Sequence, residues 1–328
     1  MRGGRAECAA IVAVPMSEVA VRAHTPLRVA FLGPSVWLDG CAPATSTQEL
    51  VCERLDLGAG VEPERVLASV RAFAPDATVL FDPCWLAERG TAACVTADAL
   101  RAAGGVTLGV LVGGLPQGLG AELAGTLDRV VSFNPALTGA HIGSGFVWRA
   151  IPPAVSDVHF HDVRPLRRAP RAMSIGSSTG HREAMLMPAK HHHDLLQVIH
   201  GVSGAALDEM LREYDAGVYV ARAPGAGFGW QVGAHLAAGQ LLLSSALEPE
   251  HGLERDIDYL EIDSPDGLVW MLDRLGRFPE MHQRVRVRGR LKAEQYRASR
   301  VFARIVHDLL ADVAAFGTGD VRAVGAPS

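Results

Sequence analysis

Short apolar runs alternate with stretches of helical pattern along the first half of the chain. Each run ends at or just before a glycine, an aspartate or an asparagine, which is typical of buried strands that enter loops. The strands predicted there are Arg28–Gly33, Ala77–Phe81, Val106–Val112 and Arg129–Phe133. Helices are predicted between them at Val61–Ala74 and Thr96–Ala103. Fully apolar strands separated by helices indicate an α/β fold, with a parallel sheet that helices cover on both faces.

The same pattern restarts after a proline-rich stretch at residues 151–170, which we interpret as an interdomain linker. The strands predicted beyond it are Arg171–Gly176, Ala216–Ala221 and Leu241–Ser244. The helical segments predicted there are one that includes His191–Ile199, then Ala205–Glu213, Trp230–Ala238, Asp266–Leu275 and a long region from about Pro279 to Ala315.

Two doubly wound, Rossmann-like domains with a long C-terminal helical region are therefore predicted. The predicted divisions are a ragged N-terminus at 1–26, a first domain at 27–150, the linker at 151–170, a second domain at 171–316 and a disordered tail at 317–328. In this scheme, the last helix of the second domain crosses back onto the first.

Composition narrows the class of protein without naming it. The chain has 328 residues, of which 48% are hydrophobic, enough for two domain cores. A formal net charge of -5 argues against a general nucleic-acid-binding protein. The five cysteines are odd in number and none forms a CxxC pair, so neither a disulfide framework nor a zinc site is expected. No apolar run reaches the length of a membrane span, and we expect a soluble, cytoplasmic protein.

Both predicted domains open with a strand that runs into a glycine-containing loop. The first loop begins at Gly33, and the second runs from Gly176 to Gly180. Glycine lets backbone N–H groups approach a phosphate, although a plain tight turn is an equal alternative. Neither loop is a GxGxxG fingerprint, so a dinucleotide site is not supported. Arg182 follows closely, and its guanidinium suits a diphosphate, in which case its removal should weaken donor binding and leave folding little affected. The alternative is a solvated helix-surface arginine.

The strongest motif is the glycine-rich segment Gly225–Gly239, which precedes a buried strand. Gly227 and Gly229 would admit a ligand to the backbone, the following helix would point its N-terminus at that ligand, and Gly239 would cap the helix. The segment resembles the "EGFG…EAMACG" signature of family 4-type GT-B glycosyltransferases, and is similar in particular to their spore-protein CgeB-like branch. Ile151–Phe160, Ile175–Arg182 and the run from His251 to Asp266 resemble further family elements in the right order.

The resemblance implies a metal-independent hexosyltransferase that moves a sugar from a nucleoside-diphosphate sugar to an unidentified acceptor, with no other cofactor. The residues implied for the donor site are Gly176, Ser177, Arg182, Gly227, Phe228, Gly229, Trp230 and His235. Two acidic positions of the signature are Ala226 and Ala234 in this chain, which leaves the partner of the donor ribose open. His235 or Gln231 is the candidate to supply that polar contact.

The sequence indicates catalytic residues less clearly than donor-site residues. Asp39 and Asp82 follow predicted strands and are candidates for the general base that an inverting enzyme needs; each could equally be a turn or cap residue.

The run His191–His193 is interpreted as a solvated helix face, because adjacent helical side chains diverge by about 100°. The basic run Arg284–Arg290 is predicted to be the exposed face of a helix, with a membrane or anionic-acceptor contact as an alternative. A non-catalytic binding or partner protein and a nucleotide-sugar epimerase of the same fold also remain open.

Overall fold

The computed structural model describes residues 25–57, 62–83, 97–112, 127–139, 141–142, 145–167, 169–199, 202–223 and 228–317. The predictions for the N-terminus, for the tail beyond Gly317 and for Gly227 therefore concern residues outside the described part of the chain. Across the described residues, no helix combines the length and the apolar character that a membrane span requires.

The first half of the chain forms a parallel six-stranded sheet in the order β2-β1-β3-β4-β5-β8. The strands of this sheet are β1 (Leu27–Gly33), β2 (Leu50–Asp56), β3 (Ala77–Phe81), β4 (Val106–Leu111), β5 (Arg129–Ser132) and β8 (Arg149–Ala150). A separate antiparallel pair is formed by β6 (His141–Ile142) and β7 (Gly145–Phe146). In the described part of this half, the helices are α1 (Ser35–Cys41), α2 (Pro63–Phe73) and α3 (Ala97–Gly104), with a 3₁₀ turn at Pro135–Leu137.

The second half forms a parallel five-stranded sheet in the order β10-β9-β11-β12-β13. Its strands are β9 (Ala172–Ile175), β10 (Leu196–Val198), β11 (Ala216–Tyr219), β12 (Leu241–Ser244) and β13 (Leu260–Glu261). Its helices are α4 (Gly180–His193), α5 (Gly204–Glu213), α6 (Trp230–Ala237), α7 (Pro265–Arg277), α8 (Gln283–Lys292) and α9 (Ala298–Phe316). Three 3₁₀ turns lie at Asp157–His159, Pro279–His282 and Ala293–Tyr296. The predicted fold class, two Rossmann-like α/β units with a helical C-terminal region, is confirmed.

Local sequence accounts for where several of these elements begin and end. Thr179 precedes α4, and its hydroxyl accepts a hydrogen bond from the Arg182 backbone N–H at 3.3 Å. This bond satisfies one of the free donors of the first helical turn. Helix α6 ends just before Gly239, which adopts the left-handed region with φ of +71°, where a side chain would be strained. The predicted capping role of Gly239 is therefore confirmed.

The prediction is wrong between His191 and Ile199. Helix α4 ends at His193, because Asp194 takes a left-handed conformation with φ of 49° and stops the helical turn. The chain then forms the short strand β10. Strand β2 was not predicted either, because it carries Glu53 and Arg54 and lies at the edge of its sheet. An edge strand needs no unbroken apolar run, so the apolar signal used for the buried strands was missing there.

Helix α9 packs against the first sheet, although it follows the second in sequence. The Phe302 ring meets Phe31 edge-on at a centroid distance of 5.0 Å and Phe81 at 5.6 Å. Asp312 accepts a hydrogen bond of 2.6 Å from Nε of Arg129. The chain therefore passes between the two sheets twice, once through the segment after Ala150 and once just before α9.

Those two passages are hydrogen-bonded to each other. The Val155 N–H donates to the Tyr296 carbonyl at 2.7 Å, and the Ala298 N–H donates to the Val155 carbonyl at 2.8 Å. Fully buried backbone polar groups are costly without partners, so this pairing fixes the register between the two crossing segments.

The basic run on α8 is only partly exposed, which corrects the sequence-based interpretation. Arg286 is 4% exposed, and it donates from Nε to the Gly239 carbonyl at 3.1 Å and from Nη1 to the Arg164 carbonyl at 2.6 Å. Burial lowers the pKa of Arg286 to about 10. Arg290 donates from Nε to the His161 carbonyl at 2.6 Å. These two arginines hold the interdomain segment against the second half instead of facing solvent.

Candidate functional site: a cleft between the two sheets

A cleft of about 850 Å³ lies between the carboxyl ends of the strands of the two sheets. Ligands of open α/β sheets bind outside the carboxyl ends of the strands, where loops and helix N-termini converge. The first half contributes Ser35, Val36, Trp37, Val112, Phe133 and Asn134. The second half contributes Ile175, Gly176, Ser177, Arg182, Val198, Ile199, Val202, Ser203, Leu207, Tyr219, Arg222, Phe228, Gly229, Trp230, Gln231 and Pro249.

Gly176 and Ser177 form the loop that leaves β9 at the floor of this cleft. Gly176 has φ of +140°, a conformation that residues with a side chain rarely adopt. A Cβ atom at this position would also overlap the Nη1 atom of Arg182. Glycine is therefore required here both for the backbone angle and for the close approach of the guanidinium.

Arg182 is a buried cation at the cleft. Its side chain is 7% exposed, Nε donates to the Val220 carbonyl at 2.8 Å, and Nη1 donates to the Ser177 carbonyl at 2.9 Å. Within the described ranges, no carboxylate forms an ion pair with it. Burial, with a smaller contribution from nearby Arg222, holds the pKa of Arg182 below its usual value. The alternative of an exposed surface arginine is wrong, because the side chain is buried. Its two hydrogen bonds to backbone carbonyls make a loss of stability the expected result of removing it.

Arg222 supplies a second positive charge that the sequence analysis did not single out. It lies just beyond β11, its side chain is exposed, and it lines the cleft. The Thr179 hydroxyl donates to the backbone carbonyl of Arg222 at 3.0 Å, and this hydrogen bond does not involve the guanidinium. A position directly after a strand at the carboxyl edge was the signal that could have identified it. The two arginines make this side of the cleft electropositive.

The segment Phe228–Trp230 brings the N-terminus of α6 to the cleft. Gly229 is the residue before the helix, and a Cβ atom there would lie 3.0 Å from the Tyr219 hydroxyl and overlap the Gln231 side chain. The Phe228 ring meets the His251 ring edge-on at 4.8 Å. The N-terminus of a helix carries a partial positive charge and free N–H groups, which suit an anion.

Trp230 joins the two halves at this point. It is buried, and a Cβ atom on Gly40 of α1 would lie 3.2 Å from its indole ring. The close approach of α1 to the indole therefore depends on the absence of a side chain at Gly40. This contact places the start of α6 opposite the first half of the chain.

His235 lies in the core rather than at the cleft. It is fully buried, its Nδ1 is 2.6 Å from Oε1 of Gln240, and it packs so closely on Gly217 that a Cβ atom there would overlap the imidazole. Burial lowers the pKa of His235 to about 4, so the ring is neutral at physiological pH. Ala234 is equally buried, and neither residue lines the cleft. The structure thus does not bring His235 to the place where a donor contact was expected, whereas Gln231 does line the cleft.

The two candidate bases are not among the residues that line the cleft. Asp39 forms an ion pair with Arg54 of β2, and its Oδ2 would lie 3.2 Å from a Cβ atom on Gly204 at the start of α5. Asp82 follows β3 with φ of 45°, and its backbone N–H donates to the Val110 carbonyl at 2.8 Å. Among the described lining residues there is no aspartate or glutamate. Both aspartates therefore occupy positions that a packing or turn residue would take.

The histidine run at the end of α4 is arranged as predicted for a solvated face. His191 and His192 are exposed, and His193 lies 3.7 Å from the Asp273 carboxylate. The residues that the structure describes contain no group of three or more histidine, cysteine or acidic side chains that could hold a metal ion.

Comparisons with known proteins identify the fold. No family model matches the chain, and no curated protein matches its sequence. Among solved structures, a glycosyltransferase from Rickettsia africae matches with a TM-score of 0.52 at 8% identity, over 89% of this chain and 99% of that one. Anabaena HepE in complex with UDP-glucose matches with a TM-score of 0.51 at 10% identity, over 87% and 100%. Sucrose-phosphate synthase from Thermosynechococcus elongatus matches with a TM-score of 0.50 at 11% identity, over 88% and 99%.

Identities this low carry information about the fold and not about the branch, so membership of the family 4-type or CgeB-like branch stays a prediction. The matches cover 87–89% of this chain and nearly the whole length of each matched chain. The chain therefore has the two-domain GT-B fold that these structures share.

Proposed function

We propose that this protein is a glycosyltransferase that binds a nucleoside-diphosphate sugar in the cleft and transfers the sugar to an acceptor. The observation that carries the proposal is Arg182, a buried guanidinium at the cleft without a carboxylate partner in the described ranges. Burying a cation is unfavourable unless an anion or hydrogen bonds compensate it. A bound diphosphate would supply the missing negative charge.

The surroundings of Arg182 support the same ligand. Arg222 adds a second cation, and the N-terminus of α6, which also lies at the cleft, adds a partial positive charge. Together, these groups match the two negative charges of a nucleoside diphosphate esterified to a sugar. Anabaena HepE, which shares the fold, has been crystallised with UDP and with UDP-glucose.

The same groups provide leaving-group stabilisation. When the bond between the sugar and the diphosphate breaks, negative charge accumulates on the departing phosphate oxygens. Fixed cations and helix N–H groups stabilise that charge more in the transition state than in the bound substrate, which accelerates the reaction. We therefore propose that departure of the nucleoside diphosphate proceeds without a bound metal ion, with Arg182 and Arg222 as the cations.

A second candidate function is a binding protein that holds a nucleotide sugar without transferring it. One observation favours it: the described lining of the cleft offers no carboxylate as a base. Ala226 and Ala234, which stand where the resembling signature has acidic residues, agree with that observation. The two candidates share the donor site and differ only in turnover.

The first experiment measures donor binding by calorimetry with UDP and UDP-glucose, in buffer that contains EDTA. The proposal expects saturable binding that is retained in EDTA and weakened about tenfold or more by Arg222→Ala, since hydrogen bonds to a charged group contribute about 1.5–3 kcal/mol. Arg212→Ala is the matched control, because Arg212 is exposed at the far end of α5 and does not line the cleft. If neither ligand nor any other nucleotide sugar binds, the proposed site is wrong.

The second experiment separates the two candidates. Release of the nucleoside diphosphate is followed in the presence of a library of sugar, lipid and small aromatic acceptors. Transfer, or slow hydrolysis of the donor without acceptor, supports the glycosyltransferase. Donor binding with no release under any of these conditions supports the binding protein instead.

A further inference from the structure

Helix α8 exposes a face that is both basic and apolar, outside the cleft. We define this surface, the α8 outer face, by Arg284, Val287, Arg288 and Leu291. All four side chains are exposed, with Val287 at 39% and Leu291 at 65%. Their spacing is i, i+3, i+4 and i+7, which places them on one side of a helix.

The orientation of this face is fixed by the opposite side of α8. Arg286 is buried in hydrogen bonds to two carbonyls, and Gly289 lies so close to the Asp258 backbone that a Cβ atom there would overlap it. The helix therefore cannot rotate to bury Val287 and Leu291. These apolar side chains are therefore exposed to water. Their burial against a partner would lower the free energy of the protein.

Two large apolar side chains in the segment before α8 are exposed as well. Met281 is 55% exposed and Phe278 is 54% exposed, and they lie two and five residues before the first residue of the helix, Gln283. Single exposed apolar residues are ordinary on protein surfaces, whereas several on two consecutive elements indicate an interaction surface.

Positive charge accompanies these apolar residues. Arg284 and Lys292 form no ion pair with any residue that the structure describes, and Arg288 is 3.5 Å from the Asp258 carboxylate. Glu280 is the exposed acidic residue nearest to the face in sequence. The whole chain carries a net charge of -5, so this basic surface is local and opposite in sign to the rest of the molecule.

We propose that the α8 outer face docks onto the surface of an anionic lipid membrane. Arginine and lysine side chains at such a surface pair with anionic headgroups, while aliphatic side chains between them enter the boundary with the acyl chains. A convex helix face with interleaved arginine and aliphatic residues meets both demands at once. A second copy of the chain fits less well, because its own α8 outer face carries the same positive charge.

The test is sedimentation of the full chain with two kinds of vesicle. One is made of phosphatidylcholine alone, and the other of equal parts of phosphatidylcholine and phosphatidylglycerol. We expect binding to the mixed vesicles only, decreasing as salt is raised. The double substitution V287S/L291S should lower the partition coefficient about tenfold or more, because it removes aliphatic surface from the contact. Arg284→Glu should lower it as well.

Matched controls carry the same changes elsewhere. Met187→Ser alters a 43% exposed methionine on α4, and Arg65→Glu alters an exposed arginine on α2. Circular dichroism and melting curves verify that each variant is folded; if V287S/L291S does not fold, Arg284→Glu and Leu291→Ser alone replace it. Absence of binding to mixed vesicles, equal binding to neutral ones, or equal losses in the controls would each overturn the proposal. So would a dimer that V287S/L291S dissociates, which would identify a second copy as the occupant.

Discussion

Replacing Arg182 by methionine separates what this residue does for folding from what we propose it does for the donor. Methionine keeps an unbranched stem of similar reach but removes the charge and all N–H donors. Two hydrogen bonds are lost, those to the Val220 and Ser177 carbonyls at 2.8 and 2.9 Å. Ser177 is exposed, so water can replace its lost donor, whereas Val220 is 1% exposed.

The magnitude follows from that difference in exposure. A buried carbonyl left without a donor costs about 1–3 kcal/mol, while an exposed one costs little. The substitution also removes a buried cation whose pKa is lowered by burial, and this relief offsets part of the loss. We therefore expect Arg182→Met to lower the free energy of unfolding by about 1–3 kcal/mol, which corresponds to roughly 2–10 °C in the melting temperature of a domain of this size.

Urea unfolding without ligand is the direct measurement, and the slope against urea should stay unchanged. Arg222→Met is the matched control, because Arg222 is an exposed cleft arginine; its stability should change by no more than about 0.5 kcal/mol. Both variants should bind UDP-glucose more weakly. A free energy of unfolding for Arg182→Met equal to or above that of the wild type would refute the reasoning about the Val220 carbonyl. Unchanged donor affinity in both variants would refute their assignment to the diphosphate.

Three further predictions concern other parts of the structure. Gly229→Val places a side chain against the Tyr219 hydroxyl and the start of α6, so UDP binding should be lost in calorimetry while a cooperative melt remains; full binding would show that the segment is structural. His235 has a folded pKa of about 4, below that of the unfolded chain, so its contribution to stability is complete above about pH 6.5 and is lost as pH falls. Urea unfolding should show a loss of about 2 kcal/mol from this residue between about pH 7 and pH 5, and His235→Gln should flatten that dependence; an equal pH slope in the variant would contradict it. Asp312→Ala should destabilise the protein by about 1–3 kcal/mol more than Asp308→Ala, because Asp312 pairs with Arg129, whose side chain is 3% exposed, whereas Asp308 pairs with the more exposed Arg149 at 35%. Equal melting temperatures for these two variants would show that the buried pair adds nothing to the packing of α9.

The fold class was readable from the sequence because its central strands are buried on both faces. Ala77–Phe81 is apolar or hydroxyl-bearing at every position, and the strand has those bounds in the structure. The glycine positions were also readable, since Gly176 and Gly239 do adopt positive φ. Strand β2 could not be found in the same way, because an edge strand with one covered face tolerates Glu53 and Arg54.

The candidate site depended much more on tertiary structure. The sequence placed Arg182 near a glycine-containing loop, but it could not show that the guanidinium is buried between two carbonyls. One of these carbonyls belongs to Val220, which follows a different strand, β11. The only signal for Arg222 in the sequence was its position shortly after a predicted strand. The sequence also favoured His235 as a donor contact, whereas the packing of α6 onto Gly217 turns the imidazole away from the cleft.

The sequence by itself therefore determined the alternation of buried strands and helices, the restart of that pattern after residue 170, and the places where only glycine fits. These are local properties, set by the period of apolar residues and by the backbone angles that each residue type allows. Tertiary structure decided which charges are buried, which line the cleft and which are exposed on α8. Burial and partnership depend on side chains that are far apart in sequence, such as Arg286 and Arg164, and no local pattern encodes their meeting.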